Sequence, residues 1–113
     1  MKLSVIGSRS FNNYELLKKI IIEKYPTVKV IVSGGARGAD QLAEKFAVEM
    51  GLKKEIYLPD WNLHGKSAGF IRNRSIIENC DMVVAFWDGK SKGTKNSIDL
   101  AKRILKPVLI VEF

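Results

Sequence analysis

Short β-branched runs alternate with amphipathic stretches along this whole sequence, and that alternation leaves few folds open. The runs fall at residues 2–6, 28–33, 54–58, 82–87 and 108–112. Met82-Val83-Val84-Ala85-Phe86-Trp87 is continuous and apolar, the pattern of a strand covered on both faces. Between the runs, apolar residues recur at helical spacing. Tyr14, Leu17, Ile20 and Ile21 mark a first helix, capped by Asn12 or Asn13 and ended by Tyr25-Pro26. Leu42, Ala43, Phe46, Ala47 and Met50 mark a second, over about 39–50, with Gly51 as its stop. A third runs over about 68–78 with Ile71, Ile76 and Ile77 inward, and a fourth over about 94–105 with Ile98, Ala101, Ile104 and Leu105. Such alternation implies βαβ units with right-handed crossovers. The expected fold is α/β, a Rossmann-like doubly wound sheet of about five parallel strands with helices on both faces. At 113 residues the chain reads as a single domain, 1–113, large enough for its own core.

The unusual residues sit in the turns that follow strands. These are Gly7-Ser8-Arg9, the Gly34 loop, the stretch from Pro59 to Gly69, and Asp88 to Thr94. Helix-to-strand turns look ordinary. Ligands of open α/β sheets bind outside the carboxyl ends of the strands, where the winding reverses, so four special loops are expected to converge on one edge.

Val32-Ser33-Gly34-Gly35-Ala36-Arg37-Gly38-Ala39-Asp40 reads as a strand end, a tight glycine turn and a helix start. Its glycines allow a sharp turn close to a ligand, and the helix N-terminus favours an anion. Arg37 adds a fork of donors suited to phosphate. The stretch has neither the G-x-G-x-x-G spacing of dinucleotide sites nor a Gly-Lys-Ser/Thr P-loop. Asp40 caps the helix, accepts from a ribose hydroxyl, or acts as a base. Gly7, Ser8 and Arg9 suit phosphate contact, or form a plain turn. Trp61 offers a stacking face for a base, or a lid over the sheet edge, and Asp60 stands beside it. Arg72, Asn73 and Arg74 open the third helix; two apart, the arginines diverge. Asp88, Gly89, Ser91, Gly93 and Thr94 have the composition of an anion loop, with Thr94 as a plain helix cap in the alternative.

The chain carries 19 Lys and Arg against 12 Asp and Glu, a net charge of +7 that favours anionic partners. Arg9, Arg37, Arg72 and Arg74 all lie in or beside the special loops. His64 is the only histidine, with no cysteine at ligand spacing, so no metal is expected. Nor is a cofactor. Cys80, the only cysteine, excludes an intrachain disulfide and suits a reducing, cytoplasmic setting. No apolar run reaches the ~20 residues of a membrane span. A homodimer is the expected assembly from the prevalence of two-fold pairs.

Together these residues resemble the SLOG superfamily, which unites the DNA-processing DprA (Smf) proteins with the cytokinin-activating LOG hydrolases. The resemblance covers nearly the whole chain, from Gly7 to Val111. Ser33-Gly34-Gly35-Ala36-Arg37-Gly38-Ala39-Asp40 is similar to DprA's Ser-Gly-x-Ala-Arg-Gly-Ile-Asp, and Arg72-Asn73-Arg74-Ser75-Ile76 to its Arg-Asn-Arg-x-Ile. Pro59-Asp60-Trp61, Gly65, Ala68-Gly69, Arg72-Asn73 and Phe86 through Thr94 resemble the compact SLOG group that includes YspA, common in bacteria and phages. LOG hydrolases carry Pro-Gly-Gly-x-Gly-Thr-x-x-Glu. Here Ser97 stands where that glutamate is expected, while the matching arginine is present as Arg72.

The leading expectation is binding, in sensing or processing, of a nucleotide or nucleotide-derived phosphate ligand. Its site would hold Gly7, Ser8, Arg9, Gly34, Gly35, Arg37, Trp61, Arg72, Asn73, Asp88, Gly89, Ser91, Gly93 and Thr94. One alternative is a nucleotide N-glycosidase of the phosphoribohydrolase type. Asp40 or Asp60 would then replace the missing glutamate and stabilise an oxocarbenium-like centre, with Arg72 holding phosphate. The other is a DprA-like binder of single-stranded nucleic acid, on the strength of the charge, Trp61 and the Arg-Asn-Arg element.

Overall fold

Strand β1 (Lys2–Gly7) sends Leu3 and Val5 to one face and Ser4 and Ile6 to the other, and all four are buried. Strand β4 (Met82–Trp87) beside it divides Val84 and Phe86 from Val83 and Ala85 in the same way. Two strands apolar on both faces need a helical layer on each side. The computed structural model, which describes residues 1–113, supplies both. On one face α1 (Tyr14–Lys24) and α2 (Ala39–Glu49) bring Leu17, Ile21, Ala43 and Phe46 onto Leu3, Val5, Val84 and Phe86. On the other, α4 (Ala68–Glu78) and α5 (Lys92–Arg103) bring Ile76, Ile77, Ile98 and Ala101 onto Ile6, Val83 and Ala85. The buried Ser4 hydroxyl donates to the Ile76 carbonyl at 2.8 Å, so the second face carries no unpaired polar side-chain atom there.

Adding β2 (Val30–Ser33), β3 (Lys53–Ile56) and β5 (Val108–Glu112) gives one parallel sheet of order β3-β2-β1-β4-β5. The chain winds outward from β1 to β3, then crosses back to place β4 on the other side of β1. The winding therefore reverses between β1 and β4. No helix is long and apolar enough to cross a membrane.

Several local expectations shift. β2 starts at Val30 because Lys29 and Val30 both donate to the Met1 carbonyl, where β1 has only begun. β3 ends at Ile56, opposite Ser33, because its partner strand turns away there into the glycine loop. Leu58 is left exposed. The long stretch after Pro59 is not irregular. Asp60 Oδ1 accepts from Leu63 N at 3.0 Å and starts a short helix, α3 (Trp61–His64), continued by a 3-10 turn over Gly65–Ser67. Ile71 points outward from α4, and α5 ends before Leu105.

Leu105 has a physical reason of its own. At the end of α2, Gly51 takes a left-handed φ of 67°, with Gly51 N bonded to Val48 O and Leu52 N to Ala47 O. This paired closure satisfies two of the last helical carbonyls. α5 closes by the same two bonds, Leu105 N to Lys102 O and Lys106 N to Ala101 O, but with leucine at φ 62°. It is the only residue other than glycine with a positive φ.

Candidate functional site

A cleft of about 500 Å³ opens where the winding reverses, at the carboxyl ends of β1 and β4. Fifteen residues line it, of which only three are hydrophobic. Gly7, Ser8, Arg9 and Ser10 come from the turn after β1; Ala36 and Asp40 from the glycine loop and α2. Arg72 and Asn73 come from α4, and Asp88, Ser91, Gly93, Thr94 and Ser97 from the loop after β4 and the start of α5.

The turn after β1 needs its glycine. A Cβ on Gly7 would lie 2.6 Å from both Ala39 Cβ and Phe86 O, so only glycine lets α2 close onto the strand end. Gly38 packs against the same turn. Its φ is 81°, and an added Cβ would strike the carbonyl oxygens of Ser8 and Arg9. Ser8 itself is buried, and its hydroxyl accepts from Asp88 N at 3.1 Å, tying the β1 turn to the β4 loop.

The glycine loop is braced from two sides. Asp40 Oδ2 accepts from Gly34 N at 3.1 Å and Ala36 N at 3.2 Å. Arg72 Nη1, from α4, donates to Gly34 O at 2.6 Å, and Arg72 Nε donates to Asn73 Oδ1 at 2.8 Å. Asp40 is thus a loop brace rather than the cap of α2; the cap position is Gly38 and has no side-chain bond. Burial pushes the Asp40 carboxyl up to about 6, against the opposing pull of the two N–H donors and of Arg72. Burial also lowers Arg72, helped by the nearby Arg9 charge and opposed by Asp40. Burial thus disfavours the charged form of both groups, and each charge in turn favours the other's.

The β4 loop is a turn built on Asp88. Its Oδ1 accepts from Lys90 N and Ser91 N, both at 2.8 Å, and these bonds hold the carboxyl below its usual range. That turn moves the helix start forward, so Ser91 rather than Thr94 caps α5; Ser91 Oγ accepts from Thr94 N and donates to Thr94 Oγ1 at 3.1 Å. The first helical turn of α5, whose N–H groups lack intrahelical partners, forms a wall of the cleft through Gly93 and Thr94. Ser91 Oγ already takes up Thr94 N, so an anion there meets the positive end of the helix dipole and the N–H groups that precede Thr94.

Of the residues singled out in the sequence, Gly7, Ser8, Arg9, Asp40, Arg72, Asn73, Asp88, Ser91, Gly93 and Thr94 line this one cleft. Six others do not line the cleft. Gly34 is buried beneath the Arg72 side chain, and Gly35, at φ 71°, turns toward Leu58 on the far side. Arg37 is exposed, because the left-handed Gly35 and Gly38 wind the loop so that Ala36 and not Arg37 reaches the cleft. Asp60 is occupied as the cap of α3. Trp61 is 59% exposed, with its ring against Gly69. Gly89 is exposed at φ 79° at the tip of the Asp88 turn. Ile6, Ser10, Ala36, Ile76 and Ser97 line the cleft without having been chosen as ligand contacts. Ser97 alone carried a signal, its place one helical turn beyond Gly93 and Thr94.

Residues 1–64 match the model of the YAcAr group, the YspA, cpYpsA-related SLOG family. The chain belongs to this SLOG family. A relative by sequence is the Gene 61 protein of Mycobacterium phage D29, 35% identical over 94 residues, which make up 78% of this chain and 75% of that protein. Two solved structures share the fold of this chain. One is DNA processing protein A from Helicobacter pylori, described for its single-stranded DNA binding mode, at TM-score 0.78 and 25% identity over 97% of this chain. The other is DprA from Streptococcus pneumoniae, at TM-score 0.81 and 21% identity over 99% of this chain. This SLOG chain spans 64% of the first of those chains and 50% of the second.

Proposed function

We propose that the cleft between β1 and β4 binds the phosphate-bearing part of a nucleotide. The observation that carries this reading is a polar cleft of about 500 Å³ at the winding reversal, with Arg9, Arg72 and the first turn of α5 on its walls. That volume suits a mononucleotide-sized ligand. Ser8, Ser91 and Thr94 hydroxyls and the Gly7 and Gly93 backbone supply the polar contacts. Arg9 forms no ion pair within the chain, which leaves its guanidinium for the ligand. The lone buried Cys80 fits work in a reducing cell interior, and a two-fold dimer is the assembly to look for.

The test is a thermal-shift panel of adenosine and guanosine monophosphates, ADP-ribose, NAD and a short DNA oligonucleotide, on wild type and Arg9→Ala. A shift with one nucleotide, lost in Arg9→Ala, is the expected result. No shift with any of them, or a shift unchanged in Arg9→Ala, overturns the reading.

A second reading, single-stranded DNA binding, is supported by the likeness to the Helicobacter pylori protein and by the net charge of +7. It expects a shift with the oligonucleotide alone, fading steeply as salt rises.

A further inference from the structure

Behind the β1–β4 cleft lies a second one, of about 400 Å³, between α4 and α5. The two adjoin, since Asn73 and Ser97 line both. Phe70 stands in the second cleft with 61% of its surface exposed, and Ile71 and Leu100 extend the apolar floor. This aromatic ring lies on the surface of α4 and belongs to neither core. Arg74 and Arg103 flank it. Arg74 is paired along its own helix with Glu78 at 2.7 Å, whereas Arg103 has no ion pair. The one carboxylate of this cleft, Asp99, is already held by Lys95 at 2.9 Å.

We infer that the second cleft is a subsite for a second nucleotide, joined through its phosphodiester to the one in the first cleft. The inference rests on the nucleotide reading of the first cleft and adds the length of its ligand. A base stacks on the Phe70 ring, a contact open to any base. The linking phosphate passes the shared wall at Asn73 and Ser97, and Arg103 faces the second unit with a fork of donors suited to phosphate oxygens. A ligand of one nucleotide would leave Phe70 and Arg103 idle; a strand of two would use both.

The experiment compares the dissociation constants of deoxyadenosine 5′-monophosphate and of its 5′-phosphorylated dinucleotide, by calorimetry, for wild type, Phe70→Ala and Arg103→Ala. Both side chains are exposed, so the variants are expected to fold, which melting curves check. The dinucleotide should bind roughly 5- to 150-fold more tightly than the mononucleotide, the range of one base stacked on an aromatic ring. Each variant should lose that gain and keep the mononucleotide affinity. Equal affinity of wild type for both ligands, or variants that bind the dinucleotide as well as wild type does, overturns the subsite and leaves the first cleft standing. Failure of both ligands to bind wild type overturns the subsite, and the nucleotide reading of the first cleft then falls only if the wider panel also gives no shift. A change in the sedimentation mass of Phe70→Ala, with the dinucleotide gain intact, overturns the subsite in favour of a contact between two copies of the chain.

Discussion

Asp40 holds the glycine loop at a cost that depends on pH. Its carboxyl titrates near 6 in the fold, because burial raises it above the ordinary aspartate value. A raised value means that protonation favours the folded state. The associated stability is fully present below about 4 and is lost as pH rises through about 6. Asp40→Asn keeps an oxygen that can accept from Gly34 and Ala36. It should therefore fold with its loop intact and lose this pH dependence. Urea melts at pH 4, 5, 6 and 7 should show the stability difference between wild type and variant changing by up to about 3 kcal/mol across that range, since two units correspond to nearly that. Leu105 carries a cost of a different kind. A leucine held at φ 62° pays roughly 1–2 kcal/mol of left-handed strain, part of which glycine returns as lost backbone freedom. Leu105→Gly should stabilise the chain by about 0.5–1 kcal/mol, measured as a rise in the urea midpoint at unchanged slope. The equivalent position in α2, Gly51, already has the favoured residue.

Two glycines separate what the loops need from what the ligand needs. Gly38→Ala sets a Cβ against the Ser8 and Arg9 carbonyls at a φ of 81°. It should destabilise by about 2–4 kcal/mol, the scale of backbone strain joined to a steric clash, and far-UV melts will register it. Gly93 has no heavy atom within 4 Å of its added Cβ, and it sits in the first turn of α5. Gly93→Ala should raise stability by up to about 1 kcal/mol through helix propensity, while on the proposed nucleotide reading its methyl group in the cleft wall should weaken binding. A gain in melting temperature paired with a loss of ligand shift is the expected signature. The same elements show what was legible in advance. The continuous apolar runs at 82–87 and 108–112 gave their strand limits directly, because register with buried neighbours left them no freedom. The limits of β2 and β3 did not follow from their own residues, since each is set by where its partner begins or turns away. Arg37 and Asp60 illustrate the same limit in the site. Their chemistry was readable, but left-handed glycines direct one outward and a capping bond to Leu63 N occupies the other. Ten chosen residues do meet in the cleft because strand order forces their loops together.

For the whole molecule, a ligand that binds only the folded chain adds about 2.7 kcal/mol at 100 times its dissociation constant. For a domain of this length that corresponds to a rise of roughly 10 °C in melting temperature. The sheet order carries a further consequence, one of timing. β1 closes at Gly7, yet its partner β4 ends only at Trp87, so the two strands are made far apart in time. Until then one side of β1 is an open edge, and the cleft has one wall without the other. At roughly 5–20 residues per second that interval lasts several seconds. In that interval the Ser8 hydroxyl has no Asp88 N–H to accept from. The cleft is thus complete only once both of its walls have been made, and a molecule that occupied it would read a finished fold.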